Sequence, residues 1–463
     1  MIKSDTPRIV KYPLYTIGDL SSGIYGIGPA ILLMFYMTNI LGIPIAIATI
    51  AASLPKFLDL LFSPLVGSIS DRTKSRYGRR RPYLLASSIL MFPLFVGIWA
   101  APFTDPVASA WFIATMYVAC SLSYTAFLVP YAALNSEIAT DYNDTTALNS
   151  YRATYSMLGC LLAGAGAPML VDVFGGGRTG YLGMGVTLAA VMSVSMLITF
   201  YNSKEPARVV DVERITFVQV YRALLKNKAF FVLTLTYVLH MTAGGVISTG
   251  LAYFVTYILL KDTSLLAGMF FLTFGASVVC IPVFLYLGKR VSKHTIFTIC
   301  LIIAILAAGL FFALDGESSL AMIYGTGAAI GVAEGAIQAY AYAMLSDCIR
   351  HGDQRQGAML TGVFIAFEKL AVALGSLIAG TIFSLSGLIE TVDGTTTQPD
   401  SAISGIQISV TIVPIILNIA AIAIFYLYRN FDRFVASTDS DNTHYPRIDK
   451  DNRILTSLQP TAK

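Results

Sequence analysis

Residues 57–82 read FLDLLFSPLVGSISDRTKSRYGRRRP. An apolar run, interrupted by Asp59 and Ser63, gives way at Gly67 to a loop holding Asp71, Arg72, Arg76, Gly78, Arg79, Arg80 and Arg81. An apolar segment ending on a basic cluster is how a transmembrane helix meets the cytoplasmic face of a membrane. A spanning helix needs about 20 predominantly apolar residues. Working outward, the chain supplies twelve such stretches, at 13–41, 44–70, 83–101, 107–136, 147–171, 179–202, 229–259, 262–288, 294–314, 318–346, 357–385 and 406–431.

Composition agrees. Of 463 residues, 56% are hydrophobic and 13% charged, and the mean hydropathy is +0.69. Soluble domains carry roughly 25% charged residues, so lipid must cover most of this surface. The net charge of +4 comes from Lys and Arg gathered in short loops, which excludes nucleic acid as a partner. Cys120, Cys160, Cys280, Cys300 and Cys348 form no CxxC pair, and an odd, scattered set fits neither a disulfide framework nor a zinc site. The short polar segment before the first apolar run is not a signal peptide.

Orientation follows from the loops. One side collects Lys3, Arg8 and Lys11, then the 72–81 cluster, then Lys204 to Lys228, then Lys289, Arg290, Lys293, Arg350 and Arg355. The other holds only Arg178 and Lys261 among acids such as Asp105, Asp315, Glu317, Glu390 and Asp393. The positive-inside rule predicts a multi-pass protein of a bacterial inner (plasma) membrane with both termini cytoplasmic. Residues 1–202 then form a six-helix half and 229–431 a second. The connector 203–228 reads as a cytoplasmic linker with an amphipathic surface helix, and 432–463 as a disordered cytoplasmic tail. After the eighth stretch, Gly288-Lys289-Arg290-x-x-Lys293 weakly echoes the loop after the second. Two six-helix halves with a degenerate basic repeat predict an all-α major facilitator fold.

Particular residues sharpen this. The 67–82 loop resembles the conserved loop of the major facilitator superfamily, where such a cluster latches the cytoplasmic gate; the positions are Gly67, Asp71, Arg72, Arg76, Gly78 and Arg79, with Asp347 after the tenth stretch. Further elements are Tyr15-Thr-Ile-Gly18-Asp19, Phe57-Leu-Asp59 through Pro64, Tyr124-Thr125 through Tyr131, Asp141 through Arg152, Ser346-Asp347-x3-His351-Gly352 and Glu368-Lys369. As a set, over residues 13–430, they resemble the glycoside–pentoside–hexuronide:cation symporters, the family of the melibiose and glucuronide permeases.

An ionisable residue at a helix centre costs on the order of 3 kcal/mol on insertion scales, so intramembrane charges are site candidates. Asp59 lies mid-segment with Lys56 one turn earlier. The resemblance implies a cation-coupling carboxylate at Asp59, a hydroxyl ligand at Thr125, and a lysine near the cation at Lys369. Where the family has a second carboxylate, this chain has Ser63; the preceding amide ligand is Phe62. Hard cations want several oxygen ligands, whereas a proton needs one acid. The expected coupling ion is therefore H+, with Na+ the alternative. No cofactor or metal site is expected.

For substrate, Arg152 matches the family's sugar-binding arginine, Tyr124 offers a stacking or hydroxyl contact, and Asp19 is either a gate partner or a pocket residue. Glu334 and Gln338, one turn apart, and His240 are further pocket candidates. The family's two sugar carboxylates are Gly23 and Leu128 here, so the same galactoside recognition is not copied. The reading is a secondary transporter, expected to act as a monomer, carrying a small carbohydrate (sugar, glycoside or uronide) by cation symport. A lysolipid or other amphipathic substrate is the alternative within transport, and a non-transporting membrane sensor the alternative of another class. No nucleophile elbow, phosphate loop or metal motif appears, so no enzyme is expected.

Overall fold

The computed structural model describes residues 8–73, 75, 78–138, 142–203, 228–262, 264–288, 290–350, 357–392 and 397–441. Eleven helices among them are long and apolar enough to cross a bilayer. They are α1 (Tyr12–Ile40), α3 (Arg81–Ala100), α4 (Pro106–Asn135), α5 (Ala147–Val173), α6 (Gly177–Asn202), α7 (Lys228–Tyr257), α8 (Ser264–Phe284), α9 (Lys293–Ala313), α10 (Leu320–Ile349), α11 (Leu360–Leu385) and α12 (Asp400–Tyr426). Between α1 and α3 runs α2 (Ile45–Arg72), 28 residues long, or about 42 Å at helical rise, which also suffices to cross. Every apolar stretch of the sequence thus has its helix. The only pairing of extended backbone among the described residues is one bridge, Leu41 to Val392. The final helix continues to Asp441; the rest of the tail, 442–463, and the linker residues 204–227 lie outside the described residues.

An even number of crossings returns the chain to the face where it began. That face is called here the terminal face, and the opposite one the far face. Within hydrocarbon every backbone group must find a partner, and the helix irregularities respect this. In α1 the chain tightens into a 3-10 turn at Ile17–Asp19, and the Gly18 N–H donates to Thr199 Oγ1 of α6 at 2.8 Å.

The two halves repeat one packing scheme. α1 lies on α5 and α7 on α11; α2 lies on α4 and α8 on α10; α3 lies on α6 and α9 on α12. The α1–α5 crossing is made by Gly23 and Gly159, and the α7–α11 crossing by Gly245 and Gly375. A Cβ on Gly159 would sit 3.1 Å from Gly23 Cα, and one on Gly245 3.2 Å from Gly375 Cα. Small residues at such points let helix backbones touch.

Between the halves, α2 packs on α11 and α1 on α7. Their far-face ends are tied by hydrogen bonds. Thr38 Oγ1 pairs with Tyr253 Oη and Asn39 Nδ2 donates to Tyr257 Oη, each at 2.6 Å. Thr391 Oγ1 donates to Asn39 O at 3.0 Å. The first free amide of α2, Ile45 N–H, donates to Glu390 Oε1 at 2.8 Å, so a carboxylate of one half caps a helix of the other.

Candidate functional site

Midway along α2, Asp59 is 5% exposed. A buried carboxylate is tolerated only with donors and countercharge. α4 supplies the donors: Ser121 and Thr125, one turn apart, both donate to Oδ1, Thr125 at 2.9 Å. Ser121 was not among the residues singled out from sequence, because a serine in an apolar helix is ordinary. Its one signal is the four-residue spacing from Thr125. Countercharge comes from Lys56 on the same helix and from Lys369 on α11, both acting electrostatically on Asp59, so the site spans the two halves. Ser63 donates its hydroxyl hydrogen to the Asp59 backbone carbonyl at 2.9 Å rather than to the carboxylate. Tyr124 stacks on Tyr25 of α1 with centroids 4.4 Å apart, beside the carboxylate.

Nearer the terminal face, Asp19 is 5% exposed and held by Arg152 through Nε at 3.0 Å and Nη2 at 3.3 Å. Tyr131 Oη donates to the same carboxylate at 2.6 Å, and the guanidinium lies 5.1 Å above the Tyr131 ring. With the Asn135 carboxamide oriented to satisfy both ends, its nitrogen donates to Tyr15 Oη at 2.6 Å and its oxygen accepts from Arg152 Nη1 at 3.1 Å. A two-pronged arginine–carboxylate pair with aromatic cover is a strong, directional arrangement. It binds α1, α4 and α5 together. Gly23, in the α1–α5 crossing, has no room for a side chain: a Cβ there would run into the backbone of Ser156 and Cys160.

The C-terminal half carries a third group. On α7, His240 is 1% exposed. Its Nδ1 lies 2.8 Å from Asn418 Oδ1 of α12, and its Nε2 3.4 Å from Glu334 Oε2 of α10. Glu368 on α11 accepts from Tyr342 Oη at 2.7 Å. Tyr237 stacks on Phe364 at 4.8 Å, and Gln338 is exposed. Lys56, Asp59, Lys369, Glu368, Glu334 and His240 follow one another within electrostatic reach, Glu368 and Glu334 as like charges. Six ionisable side chains thus form one chain from the first half into the second. The sequence offered Glu334 beside Gln338 and left His240 alone; the fold joins His240 to Glu334.

Of the loop after α2, the Asp71 side chain and Arg76 lie outside the described residues. Gly67 faces Val129 of α4, 3.5 Å from where a Cβ would stand. Arg72 is exposed, Arg79 is half-buried, and Gly78 sits in the turn before α3. Arg81 packs its guanidinium 4.9 Å above the Phe200 ring, fastening the start of α3 to the end of α6. At the corresponding place in the second half, Lys293 pairs with Asp347 at 2.5 Å.

Comparison with known proteins identifies the family and the fold. The chain is 25% identical over 419 residues to the uncharacterized symporter YnaJ of Bacillus subtilis, covering 88% of this chain and 89% of that one. It is 26% identical over 426 residues to the inner membrane symporter YicJ of Escherichia coli, covering 90% of each. It is 23% identical over 427 residues to the isoprimeverose transporter of Lactiplantibacillus pentosus, covering 89% of this chain and 87% of that one. Among solved structures, a variant of the nucleoside transporter NupG matches with a TM-score of 0.69 at 14% identity, covering 90% of this chain and all of the other. A bacterial homologue of the lysosomal transporter Spinster, inward-facing and unoccupied, matches with a TM-score of 0.66 at 14% identity, covering 91% and 96%. These structural matches carry the fold. The family profile described as MFS/sugar transport protein matches residues 14–430, and the chain belongs to that family of membrane transporters, the glycoside–pentoside–hexuronide:cation symporter group of the major facilitator superfamily.

Proposed function

We propose that this transporter couples the movement of a sugar, glycoside or uronide to that of a proton by alternating access. The terminal face would be cytoplasmic and the membrane the bacterial inner membrane. The observation that carries the reading is Asp59, a buried carboxylate held by two hydroxyls of its own half and addressed by Lys369 of the other. Coupling requires that ion and substrate stabilise each other's bound state. A carboxylate with part of its countercharge in the opposite half feels every change in how the halves meet.

A proton is favoured over sodium because one carboxylate with a few hydroxyls around it is a thin oxygen set for a hard cation, whereas a proton needs only one acid. The carbohydrate class is supported by the family and by the name of one relative. Substrate would bind between the halves near the midplane, within reach of Tyr124, Glu334 and Gln338. Arg152, committed to Asp19, would serve there as the terminal-side gate pair and release the guanidinium to substrate only when α1 and α5 shift. The far-face hydrogen bonds would be the external seal.

The test is external pH in a lightly buffered suspension of deenergised cells expressing the chain, pulsed with glycosides, pentosides and uronic acids with and without sodium. Alkalinisation by one sugar, absent in Asp59→Asn, is the expected result. Full uphill transport by Asp59→Asn rejects Asp59 as the coupling group. Silence across the panel, with expression verified, rejects proton symport of these substrates and directs attention to sodium.

A further inference from the structure

The surroundings of His240 contain one hydrogen-bond donor too few. Asn418 Nδ2 donates to the Pro414 carbonyl at 2.8 Å, and a carbonyl can only accept. The Asn418 oxygen therefore faces the ring, 2.8 Å from Nδ1. On the opposite edge Glu334 Oε2 stands 3.4 Å from Nε2, too close for an intervening water. Two acceptors flank the imidazole, and a neutral imidazole owns one N–H. Whichever nitrogen carries it, the other presents a lone pair to an oxygen while the ring itself is buried. Nε2 is indeed a buried nitrogen without a hydrogen-bond partner. The arrangement is satisfied only when one further proton resides between ring and carboxylate, as imidazolium–carboxylate or as imidazole–carboxylic acid.

We infer that His240 and Glu334 form a second proton-binding site, in the C-terminal half, distinct from Asp59 and independent of whether Asp59 couples transport. Glu334 retains 30% exposure, which gives the proton a path to water while the ring stays buried. Charges facing the pair agree. α11 brings Glu368 and Lys369, and the first half brings Asp59 and Lys56 through Lys369. α10 adds the neutral Tyr342 on Glu368, and α7 itself adds Tyr237. α8 contains no charged residue, α12 only Asp400 at its far-face start, and α1 only Asp19, which is paired with Arg152. Carboxylates outnumber lysines among these groups, a surrounding that favours an added proton. Because the pair bridges α7 and α10, taking up that proton ties the two helices together. Releasing it sets a lone pair against a carboxylate and frees Glu334 toward its exposed side.

The probe is the proton itself, read by infrared difference spectra of the full chain in liposomes, acid minus alkaline, over roughly pH 5–9, where histidine titrates. The chain has four histidines, so the imidazole band that vanishes in H240Q belongs to His240. E334Q carries the decisive arm, since its amide donates to Nε2 and supplies the missing hydrogen permanently. The expected result is that E334Q loses the same imidazole band together with one carboxyl band, while D59N keeps both. Survival of the His240 band unchanged in E334Q, or absence of any titrating His240 band in the wild-type chain, overturns the proposal. Should H240Q fail to purify, isotope-labelled histidine in wild-type and E334Q chains gives the same comparison. No transported sugar is needed, so failure here is separate from failure of the Asp59 reading.

Discussion

The pairs α2–α4 and α8–α10 occupy equivalent places in the two halves and are built oppositely. α8 meets α10 through a small-residue seam. Gly327, Gly331 and Gly335 face Met269, Thr273 and Ser277, each series four residues apart. Thr273 Oγ1 donates to the Gly327 carbonyl at 2.9 Å and Ser277 Oγ to that of Gly331 at 2.7 Å. α2 meets α4 through Asp59, Ser121 and Thr125 instead. Hydroxyls serve both seams, but in the second half they close backbone to backbone and in the first they hold a charge. The C-terminal half moves its own charges to where α7, α10 and α11 meet. One packing scheme therefore serves as a stiff joint in one half and a titratable one in the other.

The comparison breaks most visibly at Asp59. Asp59→Asn is expected to abolish accumulation while leaving exchange of labelled substrate, measured by counterflow. With about 100 mV of driving potential, worth about 2.3 kcal/mol per charge, roughly 50-fold accumulation is lost. Next is Gly331→Ala. Its Cβ would run into the Thr273 backbone, and such overpacking costs about 1–3 kcal/mol, seen as a thermal midpoint lowered by several degrees in purified protein. Gly67→Ala, whose Cβ would meet Val129 at an ordinary contact distance of 3.5 Å, is expected to leave that midpoint nearly unchanged. Thr125→Val removes one donor from the Asp59 carboxylate. At about 1 kcal/mol the half-maximal transport rate is expected to move by about 0.7 unit toward alkaline pH, because the charged form has lost support. Gly67→Ala apart, the smallest effect is expected from Ser277→Ala. An interhelical hydrogen bond in a membrane averages about 0.6 kcal/mol, so a slightly lower midpoint with an unchanged pH profile marks the seam as structural.

Much of this was legible in the sequence, and for physical reasons. Bilayer thickness fixes the length of an apolar run, so twelve helices can be counted. A charge in such a run is costly enough that Asp59, Lys369 and Glu334 stand out without any structure. Partnership across the fold was not legible. Asp19 and Arg152 are 133 residues apart and His240 and Asn418 are 178 apart, and nothing local in either sequence neighbourhood marks the contact. Serines and glycines are the other blind spot. Ser121 and Ser63 look alike on paper, yet one holds the carboxylate side chain and the other its backbone carbonyl. Likewise Gly23 reads as the place of a missing sugar ligand, while the fold uses it where α1 touches α5.

The far-face seal has a consequence for speed. Thr38, Asn39, Tyr253, Tyr257, Thr391 and Glu390 hold the halves together with hydrogen bonds. Each of these groups can trade its protein partner for water at a net cost of only about 1 kcal/mol. A seam closed by apolar area would have to be torn open against surface tension, all at once. The hydrogen-bonded share of this one, beside apolar contacts such as Phe35 against Tyr253 with centroids 5.2 Å apart, would be unzipped bond by bond with solvent completing each step, so that share of an opening barrier would follow the order of exchange rather than the area parted.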